Sequence, residues 1–144
     1  MKTIITFLIV FLFAINSCDN IVDENNNYDY SMEQKIECYC SQGGVWVKLF
    51  ITADTVSSAI RLSDNFKLDY NNFWYYKSIK SLYDEISETD TIAYILIVEY
   101  DTNNIYPSFL YKEPKPIVLD DSTTVTIADA QISYTTQNYV KLKL

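Results

Sequence analysis

The sequence predicts an α+β fold, an antiparallel sheet of about five to six strands with one main helix packed on a face. Two observations support it. β-branched and aromatic residues concentrate in short segments bounded by turn residues, as in residues 45–53. One segment alone has helical spacing, and strands lie before and after it without a β-α-β rhythm. Residues 30–144 are therefore predicted to form a single domain.

The segments before the helix predict a strand followed by a hairpin. Residues 30–40 alternate loosely between apolar and polar side chains, which predicts a strand that ends before a turn at Gly43 and Gly44. Residues 45–53 and 55–62 are rich in β-branched side chains and predict a hairpin that turns at Asp54.

The helix is predicted after a polar loop at residues 63–72. One apolar stripe at positions i, i+3, i+4 and i+7 supports it, formed by Ile79, Leu82, Tyr83 and Ile86. Ser78 is placed to cap the first turn, and Phe73 is the earliest residue at which the helix is expected to start.

The segments after the helix predict further strands. Residues 91–100 contain a run that is apolar on both sides, which predicts a central position in the sheet. Residues 105–112 are predicted to pair back, with a bulge or an edge at Pro107 because proline has no N–H to donate. Residues 123–134 form the last clear strand, and residues 139–144 are expected to add a short one.

Residues 1–17 have the pattern of a lipoprotein signal peptide. Lys2 precedes the apolar run 4–15, which is shorter than the roughly 20 residues of a membrane-spanning helix. Ile15-Asn16-Ser17-Cys18 resembles the lipobox of bacterial lipoproteins, although Asn16 is unusual there. Cys18 is therefore predicted to carry lipid such as palmitate. Ordinary secretion, with cleavage elsewhere, is the alternative.

Residues 18–29 are rich in asparagine and acidic side chains, which predicts a flexible acidic tether. Acidic residues just after a lipidated cysteine also resemble an export signal to the outer cell surface, and a merely solvated spacer is the alternative. The predicted location is the bacterial cell envelope, anchored in the membrane through the N-terminal lipid, with the outer membrane or cell surface favoured.

Composition excludes several function classes. The net charge of −8 repels phosphate backbones, so no nucleic-acid partner is expected. The chain contains no histidine, the commonest general base at neutral pH and the commonest metal ligand. A Ser-His-Asp site is impossible without it. We therefore predict no enzymatic activity, no catalytic residue, no cofactor and no metal site.

Carboxylates are the remaining catalytic candidates. Asp120 and Asp121 are adjacent and would face opposite ways on a strand. Asp101 is a third acid that calcium could use with them, but aspartate in turns more often bonds the local backbone. A hydrolase of envelope polysaccharide stays open as the alternative, and it needs two acids about 5–9.5 Å apart in a cleft.

Cys38 and Cys40 form a Cys-x-Cys pair in a chain predicted to reach an oxidising compartment. On one strand their α-carbons would lie about 6.5–7 Å apart, at or beyond the limit for a relaxed disulfide. A disulfide that needs a bend and two free thiols are both left open.

Aromatic residues are abundant, with 13 tyrosines and 2 tryptophans. Four of them, Phe73-Trp74-Tyr75-Tyr76, precede the helix and form a candidate aromatic binding surface for glycan or protein. Packing in the core is the alternative for these four. Trp46 and Tyr83 are expected in the core.

Several landmarks occur in a fixed order. They are Tyr28-Asp29-Tyr30, Cys38-Tyr39-Cys40, Asp54-Thr55, the helix from Ser78 to Ile86, Tyr100-Asp101, Tyr106-Pro107 and Asp120-Asp121-Ser122. Across residues 28–133 this order resembles an uncharacterised family of small bacterial secreted and lipoprotein domains, a domain of unknown function. The resemblance implies an envelope location and an α+β fold, and it implies no activity.

The sequence thus predicts a lipid-anchored envelope protein of unknown molecular function. A non-enzymatic binding or scaffolding domain that contacts an envelope protein or glycan is the favoured hypothesis. The polysaccharide hydrolase and an inhibitor of an envelope enzyme are the alternatives.

Overall fold

The structure is a computed structural model that describes residues 27–38, 43–119, 122–125 and 131–143. These residues form nine strands and two helices. The strands are β1 (Tyr30–Glu37), β2 (Trp46–Thr52), β3 (Thr55–Arg61), β4 (Phe66–Leu68), β5 (Tyr94–Tyr100), β6 (Pro107–Pro114), β7 (Ile117–Val118), β8 (Thr124–Val125) and β9 (Ile132–Lys141). The helices are α1 (Tyr70–Phe73) and α2 (Ile79–Glu88).

Seven strands form one antiparallel sheet in the order β4-β3-β2-β1-β9-β6-β5, and β7 and β8 form a second, two-stranded sheet. The protein is therefore mostly β, and the prediction of an α+β fold with one main helix was wrong. Helix α2 has ten residues and a length of about 15 Å, whereas seven strands span about 29 Å. The helix is an accessory to the sheet.

The strand number was also underestimated. β4, β7 and β8 have two or three residues each, which is too short for a period-2 pattern to show in the sequence. The segment 63–72 was predicted to be a loop, but it contains β4 and the start of α1. β9 is continuous over ten residues, where a separate short strand had been predicted after residue 138.

Helix α2 forms where the apolar stripe placed it. The Ser78 hydroxyl caps its first turn by accepting the N–H of Ser81 at 3.1 Å. The helix does not reach back to Phe73, which lies in the separate helix α1. Leu82 is fully buried, but Tyr83 is 37% exposed and stacks on Tyr100 with ring centroids 6.2 Å apart.

β5 lies at one edge of the sheet, so its predicted central position was wrong. The predicted irregularity at Pro107 is confirmed. The pairing of β5 with β6 shifts register between Glu99 and Tyr100, and Tyr100 faces Pro107. The shift skips Ser108, so the extra residue is in β6.

The core lies between one face of the main sheet, helix α2 and the segment 70–78. Its fully buried apolar side chains alternate along the strands. They include Met32, Ile36, Val47, Leu49, Ile51, Leu82 and Leu110. Trp46 was expected among them, but it is half-buried beside Val47 and faces the other way, with Lys35 Nζ 5.8 Å from its ring centroid.

The first and last described segments of the chain meet beside β2. Asp29, the last residue of the predicted tether, donates its N–H to the Ile51 carbonyl at 2.8 Å and accepts the Leu142 N–H at 2.9 Å through its own carbonyl. Its carboxylate lies 2.7 Å from Lys143 Nζ. The predicted signal peptide, Cys18 and most of the tether lie outside the described residues. None of the helices described has the length and apolar character needed to span a bilayer.

Candidate functional site

The segment 70–78 is fixed to the sheet by a buried amide. Gln34 is fully buried on β1, and its Oε1 accepts the Lys77 N–H at 2.9 Å. Its Nε2 donates to the Lys77 carbonyl and to Thr136 Oγ1, both at 3.2 Å. The Tyr30 hydroxyl accepts the Ile79 N–H at 3.0 Å. The segment is therefore fixed to β1 at Lys77, through Gln34, and at Ile79, where helix α2 begins, through Tyr30.

Aromatic side chains in this segment point to opposite sides. Phe73 and Tyr76 are 7% and 3% exposed and belong to the core. Tyr70 and Trp74 are 70% and 65% exposed. Residues four apart on one helical turn share a side, which explains why Tyr70 and Trp74 both face out. Two buried rings thus hold two exposed rings in place.

The turn between β2 and β3 lies opposite the segment 70–78 and forms one wall of a cleft. Thr52 pairs with Thr55, so Ala53 and Asp54 make a two-residue loop with φ angles of 47° and 61°. Positive φ at both positions is the type I′ geometry that suits a hairpin. The Asp29 carboxylate accepts the Ala53 N–H at 2.7 Å and fixes this loop.

A cleft of about 150 Å³ lies between the β2–β3 hairpin and the segment 70–78, which we call the aromatic segment. Its lining residues are Asp54, Thr55, Val56, Tyr70, Phe73, Trp74, Tyr76, Ser78 and Ser81. Pockets for drug-sized ligands have about 300–1,000 Å³, so this cleft suits one sugar ring or one side chain. Asp54 makes no hydrogen bond or ion pair with the described residues, which leaves its exposed carboxylate available at the rim.

Two neighbouring phenols lie in the segment 70–78, and one of them, Tyr76, lines the cleft. The hydroxyls of Tyr75 and Tyr76 are buried and have no hydrogen-bond partner among the described residues, and the two ring centroids are 5.5 Å apart. Burial, and then the neighbouring Tyr75, raises the pKa of Tyr76 to about 12. Tyr76 is therefore neutral at physiological pH and keeps a donor proton. Burying a hydroxyl without a hydrogen bond costs about 1–3 kcal/mol.

The predicted aromatic surface is only partly assembled. Of Phe73, Trp74, Tyr75 and Tyr76, only Trp74 is exposed, and Tyr75 is half-buried. The sequence argument missed Tyr70 and Asp54 as parts of the same site. The spacing of Tyr70 and Trp74 was visible in the sequence, but residue 70 had been assigned to a loop.

A second cavity of about 240 Å³ lies near the end of β1 and is lined by Glu37, Cys38, Tyr111, Gln131, Ile132 and Ser133. Cys38 is disulfide-bonded. Cys40 and Cys18 are the other cysteines of the chain, and both lie outside the described residues, so the Cys38–Cys40 disulfide, one of the two alternatives that the sequence left open, stays a hypothesis.

Glu113 lies beside this second cavity and accepts two hydrogen bonds. It accepts the Tyr111 hydroxyl and, at 3.0 Å, Gln131 Nε2. The hydrogen bond to Glu113 raises the pKa of Tyr111, since the neutral phenol is the donor. Both hydrogen bonds fall on the same carboxylate oxygen, Oε2.

Asp101 has a turn role. Its carboxylate accepts the N–H groups of Asn103 at 3.1 Å and Tyr106 at 3.0 Å, and that of Ile105. Partial desolvation acts to raise its pKa, but these three hydrogen bonds outweigh it and hold the pKa below the ordinary value. Asp120 and Asp121 lie outside the described residues. In the part of the chain that is described, no three His, Cys, Asp or Glu side chains are grouped to hold a metal.

Comparison with known proteins gives a family and no function. No curated protein and no solved structure matches the chain. A family model described as a family of unknown function, DUF6174, matches residues 20–132. The resemblance to an uncharacterised family is confirmed at this level, and the chain belongs to the DUF6174 family of unknown function.

Proposed function

We propose that this protein is a lipid-anchored, non-enzymatic binding domain of the bacterial cell envelope, and that its ligand is an envelope glycan held in the cleft between Asp54, Tyr70 and Trp74. The observation that carries the proposal is the exposure of Tyr70 and Trp74, 70% and 65%, on a segment that is otherwise anchored. Exposed rings held by a rigid frame bind with little loss of side-chain entropy.

The cleft chemistry suits a sugar. Aromatic faces take the apolar C–H face of a pyranose ring, and a carboxylate accepts its hydroxyl protons. Asp54 supplies the carboxylate at the rim, and the Ser78 and Ser81 hydroxyls lie 3.0 Å from each other on the helix side. The cleft volume of about 150 Å³ favours one ring, so neighbouring rings of a longer glycan would lie outside it.

The binding proposal is tested by titrating the protein with soluble oligosaccharides released from the envelope and following the heat of binding by isothermal titration calorimetry. Trp74→Ala is expected to weaken binding at least about tenfold, because a central aromatic anchor is lost. The matched control is Trp46→Phe. It changes the other tryptophan, which lies on strand β2, and should leave the affinity for the oligosaccharide unchanged. Equal affinity for wild type and Trp74→Ala would overturn the assignment of the cleft.

The anchor proposal rests on residues 1–18. The apolar run, Ser17 and Cys18 support lipidation at Cys18, and the net charge of −8 disfavours adsorption to anionic lipid without it. Radioactive palmitate is expected to label the wild type and not Cys18→Ala. Cys40→Ala, which alters a different cysteine, should keep the label. Labelling of Cys18→Ala would contradict the anchor assignment.

A further inference from the structure

One edge of the main sheet has the composition of an interior strand. β5 is last in the strand order, and across the described ranges it pairs with β6 alone. Its sequence, Tyr-Ile-Leu-Ile-Val-Glu-Tyr, is apolar on both faces. That pattern is typical of strands with a neighbour on each side, and an open edge strand leaves backbone N–H and C=O groups ready to pair.

We propose that β5 pairs with β5 of a second copy of this chain, antiparallel across a two-fold axis, so that two seven-stranded sheets join into one. A two-fold interface uses the same surface on both copies and is the commonest way for soluble chains to associate. The proposal does not depend on the glycan cleft or on the lipid anchor.

The residue pattern of β5 is self-complementary when the axis passes at Ile97. Tyr94 then faces Tyr100 of the second copy, and Leu96 faces Val98. Cross-strand aromatic and aliphatic pairs of this kind stabilise antiparallel strands. Glu99 is the one charged side chain of β5, and it faces Ile95 rather than another Glu99. A parallel pairing in register would instead place the two glutamates side by side.

Charges near the two ends of β5 bear on the same arrangement. Glu99, inside β5, and Asp101, just after it, lie near one end. Lys115 lies at the other, where its N–H bonds the Ala93 carbonyl at 2.8 Å and its Nζ bonds the Thr91 carbonyl at 2.7 Å. Asp90 lies at that end too, where its carboxylate accepts the Ile92 N–H at 2.8 Å. With the axis at Ile97, Asp101 of one copy faces Ala93 of the other, the residue whose carbonyl Lys115 bonds, so the Asp101 carboxylate and the Lys115 ammonium come to the same end of the interface. This charge complementarity points to a second copy as the occupant.

The exposed side chains on this edge are the ones that pairing would cover. Ile97 is 47% exposed, Tyr100 is 44% exposed, and Ile92 just before the strand is 85% exposed. The bulge at Ser108 is in β6, so β5 itself runs without interruption. Bulges in an edge strand discourage pairing, and β5 has none.

The test is the mass of the full chain by analytical ultracentrifugation in non-ionic detergent, over a range of concentrations. At 0.15 M salt the Debye length is about 8 Å, which limits repulsion between the two acidic chains. A concentration-dependent dimer is expected. Ile97→Lys should raise the dissociation constant roughly 100-fold, because the change occurs twice at the centre of the interface and each copy contributes about tenfold.

The matched control is Ile117→Lys on β7, since Ile117 is 53% exposed and also lies on a strand. It should leave the dimer intact. A single-chain mass for the wild type at every concentration would overturn the proposal and leave a segment of another protein as the occupant of this edge. Loss of the dimer in Ile117→Lys but not in Ile97→Lys would also overturn it.

Charge reversal gives a test that does not depend on the apolar side chains. Lys115→Glu should weaken the dimer several-fold, because it places a second carboxylate beside Asp101 of the other copy. Circular dichroism confirms that the variant is folded. A Lys115→Glu variant that dimerises as well as the wild type would contradict the antiparallel arrangement.

Discussion

The two edges of the main sheet are built differently. β4 has three residues, and the exposed Phe66 ring on it lies 5.3 Å from the Arg61 guanidinium, which also pairs with Asp64 at 2.7 Å. β5 has seven residues, and Glu99 is its only charge. Short, charged edge strands resist association, whereas long apolar ones promote it.

The two edges also differ in how the rest of the chain packs against them. At the β4 edge the chain turns directly into α1 and the aromatic segment, so the edge is part of the frame of the cleft. At the β5 edge, helix α2 packs mainly against β6 and contacts β5 through the stack of Tyr83 on Tyr100, and the β5 side chains are half-buried or exposed. One edge is therefore structural, and the other is suited to a partner.

Truncating one leucine at each edge tests this asymmetry and has the largest expected effect. Leu68 on β4 is 4% exposed and belongs to the core, so Leu68→Ala should cost about 2–3 kcal/mol of unfolding free energy. Leu96 on β5 is half-buried, and Leu96→Ala should cost about 1 kcal/mol. Urea unfolding of both variants measures the two values.

Leu68→Ala is also expected to weaken glycan binding, since α1 begins two residues after Leu68 and carries Tyr70. Leu96→Ala should leave glycan binding unchanged. Equal losses of stability in the two variants, or a larger loss in Leu96→Ala, would show that the β5 edge is as integrated into the core as the β4 edge.

The sequence predicted the parts of the fold that are set locally. The Ser78 cap, the stripe of α2, the hairpin turn at Asp54 and the irregularity at Pro107 follow from short-range patterns, and all four are observed. The order of strands is long-range information that periodicity does not contain. A run that is apolar on both sides therefore predicted a central strand, whereas β5 is at the edge.

The candidate site was predicted less well, for a related reason. The four residues Phe73–Tyr76 were named as a group, but which rings face out depends on α1, a helix of four residues that is too short for a sequence period to show. Gln34, which fixes the segment, sits at an interior position of an apolar strand face, and a single polar residue there gives no sign of its partner 43 positions away.

The last prediction concerns Glu85, which forms ion pairs with Lys77 in the segment 70–78 and with Lys112 on β6. From helix α2 its carboxylate lies 3.3 Å from Lys77 Nζ beside the cleft segment and 2.6 Å from Lys112 Nζ on β6. Partial burial acts to raise the pKa of Glu85, but the hydrogen bond to Lys112 and the charge of Lys77 outweigh it and keep the pKa below its ordinary value of 4.5. Glu85→Gln should cost about 1 kcal/mol at pH 7.

The pH dependence follows from the direction of that shift. Because the folded-state pKa of Glu85 is lower than the unfolded value, its contribution is complete above about pH 4.5 and disappears as pH falls through the folded-state pKa. Thermal unfolding from pH 7 to pH 3 should show wild type and Glu85→Gln converging in that acidic range. Glu88→Gln, an exposed change on the same helix, should follow the wild type throughout. A constant difference in unfolding temperature between wild type and Glu85→Gln down to pH 3 would mean that packing, rather than the two lysines, makes Glu85 stabilising. The segment 70–78 and β6 would then not be linked by charge.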